Sequence, residues 1–156
     1  MDLPPDFSDL LAEFARAGVE FVVVGGYAVA FHGTPRATKD IDLLLRGTRE
    51  NQARAAAALA RFGAPGVVVD AVRDQAPTDV VFMGSPPLRV DLLLAIDGVD
   101  LDRVFERAVE SRWGDAAVRV IGLDDLIANK RAAGRPQDRV DAELLERARD
   151  ATPGRS

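Results

Sequence analysis

Apolar residues at Phe7, Leu10, Leu11 and Phe14 recur at helical spacing and predict an amphipathic helix over Asp6 to Ala17, capped by Asp6 or Ser8 and ended by Gly18. The run Glu20-Phe21-Val22-Val23-Val24 then reads as a buried strand that breaks off at Gly25-Gly26. Tyr27 to His32 predicts a short helix closed by Gly33. In Lys39-Asp40-Ile41-Asp42-Leu43-Leu44-Leu45, acidic and apolar residues alternate before a leucine run, which is strand character. Asn51 to Phe62, rich in Ala and followed by Gly63, predicts a helix. Val67-Val68-Val69, Val80 to Met83 and Leu88 to Ala95 are strand candidates, the last two separated at hairpin distance by Ser85-Pro86-Pro87. Leu101 to Val109 predicts a helix with Asp100 as cap, and Val118 to Ile121 a brief strand. Leu123 to Ala133 and Gln137 to Arg149 predict closing helices, divided by Gly134-Arg135-Pro136. The spacing places Leu10, Leu11, Phe14, Phe21, Leu59, Phe62, Leu94, Phe105, Trp113, Leu126 and Leu144 in or beside the core.

With 156 residues, 47% of them hydrophobic, the chain suits one domain, expected over 1–150 with a flexible tail at 151–156. The absence of cysteine excludes disulfides, thiolate metal sites and a cysteine nucleophile. No apolar run approaches the ~20 residues of a bilayer span, and the first residues lack the pattern of a signal peptide; a soluble cytoplasmic protein is expected. The net charge of -5 argues against a wholesale electrostatic grip on nucleic acid but leaves room for a local basic patch.

The candidate chemistry lies in the acids. Asp40 and Asp42, two apart on a strand, point to the same face. Neighbouring carboxylates repel, and burial raises their pKa unless a cation or donors compensate. A divalent ion such as Mg²⁺ resolves that conflict, because it takes carboxylate oxygens and keeps positions for phosphate oxygens. Asp91, within the largely apolar Arg89-Val90-Asp91-Leu92-Leu93-Leu94, supplies a third carboxylate that needs a partner. Gly25-Gly26 stands between strand and helix, where free backbone N–H groups and a lack of side chains let phosphate approach. Together these parts are suited to holding a nucleoside triphosphate by its phosphates and its metal ions.

In these features the chain resembles the DNA polymerase β-like nucleotidyltransferase superfamily. The superfamily pattern is a hydrophobic residue before Gly-Gly or Gly-Ser, a spacer, Asp-hydrophobic-Asp, and a later third acid. Here Val24-Gly25-Gly26, the spacer Tyr27 to Lys39, Asp40-Ile41-Asp42 and Asp91 fill those places. A closer likeness is to small bacterial nucleotidyltransferases related to the AbiEii toxin group, carried by Gly25, Gly26, Ala28, His32, Gly33, Arg36, Thr38, Asp40 and Asp42. The segments Ile96 to Val99, Leu126 to Lys130 and Gly134 to Asp138 extend it, so that it spans roughly 19–145.

The resemblance implies an α/β (α+β) nucleotidyltransferase fold, a mixed twisted sheet flanked by helices with further helices at the C-terminus. It also implies transfer of a nucleoside monophosphate from an NTP to an acceptor hydroxyl, with release of pyrophosphate. Asp40 and Asp42 would then coordinate two Mg²⁺, with Mn²⁺ as the alternative, and Asp91 would complete one metal site and help activate the acceptor. Lys130 would neutralise phosphate, with Arg135 and Asp138 shaping the same end of the site.

Several of these residues carry a plainer reading beside the functional one. Arg36 and Lys39 are either triphosphate ligands or structural charge partners of the aspartates. Lys130 is either a phosphate ligand or a surface charge paired with Asp125 or Asp138. Thr38 favours a loop role. His32 reads as a helix cap before it reads as a base. Tyr27 either stacks on a base or packs under its helix. The acceptor is an RNA, a protein or a small molecule, and a cognate antitoxin or toxin protein is an expected partner. The competing class is a non-catalytic nucleotide-binding or regulatory module acting through a protein partner. A metal phosphohydrolase fits poorly, since one histidine leaves little for its ligand set.

Overall fold

The computed structural model describes residues 2–34, 38–84 and 88–151. Among these the elements run α1 (Pro5–Arg16), β1 (Phe21–Val24), α2 (Gly25–Phe31), β2 (Asp40–Leu45), α3 (Arg49–Phe62), α4 (Gly66–Arg73), β3 (Val80–Met83), β4 (Arg89–Leu93), α5 (Leu101–Arg107), β5 (Val109–Trp113), β6 (Ala116–Val120), α6 (Leu123–Ala133) and α7 (Pro136–Ala151). The six strands form one open mixed sheet in the order β3-β4-β2-β1-β6-β5. β1 is antiparallel to β2 and parallel to β6, β2 and β4 are parallel, and the outer pairs β3–β4 and β5–β6 are antiparallel.

The centre of the sheet is built from β1, buried at every position, and from the buried Ile41, Leu43, Leu44 and Leu45 of β2. Helix α1 lays Phe7, Leu10, Leu11 and Phe14 into the core and packs on α3 and β6. Its start departs from expectation. Pro4 occupies the N-cap with no side-chain bond and a proline follows at N1, where its missing N–H costs nothing, so neither Asp6 nor Ser8 is the cap.

Three further expectations are corrected. Val67-Val68-Val69 is helical, not a strand: in α4 the valines at 69 and 72 fall on one buried face against α3, while Val67 is exposed. Packing at helical spacing outweighs the β preference of a valine run. Residues from Val109 to Trp113, read as helix end and loop, form the edge strand β5. Only Trp113 is buried there, so the strand left no hydrophobic alternation to read. Leu144 is exposed, because α7 turns Asp138, Asp141, Ala142 and Leu145 inward instead. The turn expected at 85–87 and the tail beyond residue 151 lie outside the described residues.

Candidate active site

The site forms where β1 ends, beside the polar starts of β2 and β4. Strand alternation sends Ile41 into the core and leaves Asp40 and Asp42 half-buried on the other face. The parallel register sets Asp42 opposite Asp91 and Asp40 opposite Arg89, and the antiparallel register sets Asp42 opposite Val24. The three carboxylates and the glycine turn therefore meet on adjacent strands.

Gly25 has φ +69°, in the left-handed region, and a Cβ there would run into the Asp42 carboxylate. Both facts demand glycine. At Gly26 a Cβ would stand 2.9 Å from the Thr38 hydroxyl oxygen. That hydroxyl donates to the Asp40 carbonyl over 3.1 Å, the loop role expected for Thr38. The glycine pair is itself the first turn of α2, two residues earlier than expected.

Burial, then a hydrogen bond with Asp91 and the charges of Asp91 and Asp40, push the Asp42 carboxyl up to about 7, only partly relieved by Lys130. Asp91 is gripped from its other side. Arg89 donates to it through Nε at 2.8 Å and Nη2 at 3.2 Å, and Nη2 also lies 3.3 Å from Asp40. The guanidinium rests 4.7 Å from the centre of the Phe82 ring.

The opposite wall comes from the α6–α7 turn, where Gly134 adopts the left-handed conformation that lets α7 fold back. Lys130, buried, bridges Asp138 at 3.3 Å and Asp141 at 3.2 Å. Arg135 pairs with Asp138 at 2.7 Å, and Gln137 donates to Asp141 at 2.9 Å. Burial pushes the Asp138 carboxyl up, but the bonds from Arg135 and Lys130 outweigh it and hold the group below its ordinary value. Asn129 donates to the Asp97 carbonyl, tying the segment after β4 to α6.

These walls enclose a cleft of about 770 Å³, lined by Gly25, Gly26, Asp40, Asp42, Asp91 and Lys130 of the expected residues. Lys39 is exposed and does not line it, since alternation turns it away from the face of Asp40. Arg36 lies outside the described residues. Lys130 is not a surface charge, and Asp125 pairs with Arg107 instead. Tyr27 is buried against Phe7 and Trp113. His32 is the C-cap residue of α2, buried, its Nε2 2.7 Å from the Ile121 carbonyl oxygen.

Sequence reasoning missed Arg89, Asp97, Asn129 and Gln137 as cleft residues and Asp141 as a partner of Lys130. For Arg89 a signal existed: it stands two before Asp91, hence on the same strand face. Among the described residues no group of three or more acidic or histidine side chains stands ready to hold a metal ion. The donor set nonetheless fits a hard divalent ion, being three carboxylates on one face, with Asp42 directly opposite Asp91 and raised by burial and by the neighbouring acids.

Solved structures with the same architecture are nucleotidyltransferases. The lincosamide antibiotic adenylyltransferase LnuA, bound to lincomycin, aligns with TM-score 0.59 at 14% identity, covering 92% of this chain and 96% of that one. ANT(2")-Ia in complex with adenylyl-2"-tobramycin aligns with TM-score 0.55 at 16% identity over 93% of each chain. A putative nucleotidyltransferase from Thermotoga maritima aligns with TM-score 0.56 at 13% identity, covering 94% and 91%. Comparison with curated proteins finds no match. The family model described as nucleotidyl transferase AbiEii toxin, type IV toxin–antitoxin system, matches residues 9–152. The chain thus belongs to the AbiEii nucleotidyltransferase family, and the cleft between the aspartate strands and the α6–α7 turn is the candidate active site of a nucleotidyltransferase.

Proposed function

We propose that the protein transfers a nucleoside monophosphate from an NTP to an acceptor hydroxyl in a reaction that depends on Mg²⁺ or Mn²⁺, as the toxin of a two-protein toxin–antitoxin pair. The observation that carries this reading is the register pairing of Asp42 with Asp91, beside Asp40 and against Gly25. In it the acceptor oxygen bonds to the α-phosphorus and the bond from that phosphorus to the oxygen bridging to the β-phosphate breaks. Pyrophosphate leaves, and the hydroxyl proton passes to Asp91. Asp40 and Asp42 would hold the metal ions, with Asp91 completing one of the two sites, and the ions would neutralise the triphosphate and the leaving oxygen when bound. Lys130, Arg135 and the Gly25-Gly26 backbone would receive the phosphates, the lysine held in place by Asp138 and Asp141.

The charge of the cleft bears on the acceptor. Among the described residues five aspartates line it against three cations, and each of those cations is ion-paired within the protein. That balance favours a small hydroxylated acceptor carrying cationic groups over a bare RNA backbone. The antibiotics in the similar solved structures are acceptors of that size. Incubation with each α-labelled NTP and Mg²⁺ or Mn²⁺, against total RNA, cell protein and a small-molecule pool, tests the reading. Label is expected in one fraction with wild type and in none with Asp42→Ala. No labelling by folded wild-type protein overturns catalysis and moves the nucleotide-binding module, acting through a protein partner, to the front.

A further inference from the structure

Arg89 is the cleft cation that no function has yet absorbed. It is the strand neighbour of Asp40 and lies two residues before Asp91 on the same face of β4. Its fork takes both oxygens of Asp91, one through Nε and one through Nη2, and Nη2 also reaches Asp40. Asp42 stands opposite the same Asp91 across the β2–β4 ladder. On each Asp91 oxygen one of the lone pairs that a third carboxylate would offer to a metal ion is thus engaged by a positive charge of the chain's own.

The position of Arg89 also suits exchange. Its side chain is 39% exposed, so the guanidinium has a path to water, whereas Asp91 is 13% exposed and sits within the sheet face. One restraint on the arginine is the face of Phe82 on the edge strand β3, itself 53% exposed. A cation held by one bidentate pair, one longer contact and one ring is well restrained but displaceable by a doubly charged ion.

We propose that Arg89 is a resident counter-ion that competes with the divalent metal for Asp91, keeping the three carboxylates assembled while no metal is bound and setting the affinity for it. This rests on the metal-dependent reading above. Arg89 is a positioning residue: it acts through Asp91, and the bidentate fork rather than the bare charge is what the metal must displace.

The test is Mn²⁺ affinity without nucleotide, read from the paramagnetic resonance of free Mn²⁺ for wild type, Arg89→Gln, Arg89→Lys and Phe82→Leu, each checked for folding by circular dichroism. Loss of a charge-assisted fork should tighten Mn²⁺ binding about tenfold or more in Arg89→Gln. Arg89→Lys keeps the charge but loses the fork and should fall between. Phe82→Leu keeps the arginine but removes its ring, and should tighten binding by about two- to fivefold. Wild type that binds Mn²⁺ while Arg89→Lys and Phe82→Leu bind no more tightly overturns the competition alone, whatever Arg89→Gln does. Should neither wild type nor Arg89→Gln bind Mn²⁺ at millimolar concentration, the metal reading and the competition fall together. If Arg89→Gln does not fold, the lysine and leucine variants decide by the same comparison.

Discussion

Asp42 and Asp91 face each other across the β2–β4 ladder, where burial and the neighbouring acids Asp91 and Asp40 set like charges against one another at the end of the sheet. The Asp42 carboxyl, raised from 3.8 to about 7, binds its proton more tightly in the folded chain than in the unfolded one. The contribution of this group to stability is therefore fully present below the unfolded value and is lost as pH rises from about 4 through about 7.

Asp42→Asn removes that slope. In the absence of divalent metal the variant should match wild type near pH 4 and exceed it above pH 7, by no more than about 4 kcal/mol. Urea denaturation at pH 5, 6, 7 and 8 checks this. A variant less stable than wild type at pH 8 would mean that the carboxyl contributes more by its bonds than it loses by repulsion.

Gly25→Ala should be costly for two separable reasons. The left-handed backbone at φ +69° disfavours any Cβ, and the methyl would displace the Asp42 carboxylate. A loss of about 2–4 kcal/mol in denaturation is expected, together with loss of nucleotidyl transfer. Gly63→Ala supplies the control, since its φ is also positive but nothing lies within 4 Å of its added Cβ. It should lose only the backbone part, about 1–2 kcal/mol, and retain transfer.

What the sequence made legible follows a physical divide. Asp40 and Asp42 were readable because a strand repeats every two residues, and Gly25-Gly26 because glycines mark a break in an apolar run. Arg89 escaped because only the parallel pairing of β4 with β2, which spacing along the chain does not carry, sets it beside Asp40 as well as Asp91. Helix α4 escaped because its valines favour a strand locally, and only packing against the preceding helix α3 makes Val69 and Val72 a helix face. The inward face of α7 escaped for the opposite reason: two of its buried residues are aspartates, which periodicity counts as outside. Their burial makes sense only once Lys130 is seen opposite them.

His32→Ala separates a structural histidine from a chemical one. The ring bonds to the Ile121 carbonyl at the end of β6 and stands edge-to-face with Phe31, fastening the end of α2 to the sheet. Removing it leaves a buried carbonyl short of a donor and should cost about 1–3 kcal/mol. Transfer per folded molecule should stay within about threefold of wild type, as single-turnover rates below the melting transition would show. A loss of several hundredfold in a fully folded variant would instead make His32 part of the chemistry, in the range that general acid–base groups contribute.

The Lys130 cluster predicts an asymmetry between its members and a distinct acid limb. Lys130→Met leaves Asp138 and Asp141 buried beside each other without their shared cation, and should cost about 3–5 kcal/mol at pH 7. Asp138→Asn leaves Lys130 with Asp141 and should cost less. For pH the sign is fixed by direction: the folded carboxyl of Asp138 lies below its ordinary 3.8, so its contribution is in place above about pH 4 and is lost as pH falls through the lower folded value. In wild type this adds a fall in stability below pH 4, and in Asp138→Asn that part of the fall disappears. Thermal melts between pH 2.5 and 5 resolve the two, because Asp42, protonated throughout that range when folded, acts there in the other direction. Its unfolded carboxyl ionises near pH 4 and lowers stability as pH rises. The double variant Asp42→Asn, Asp138→Asn should therefore lack both contributions, with the two changes adding if the clusters act independently across the cleft.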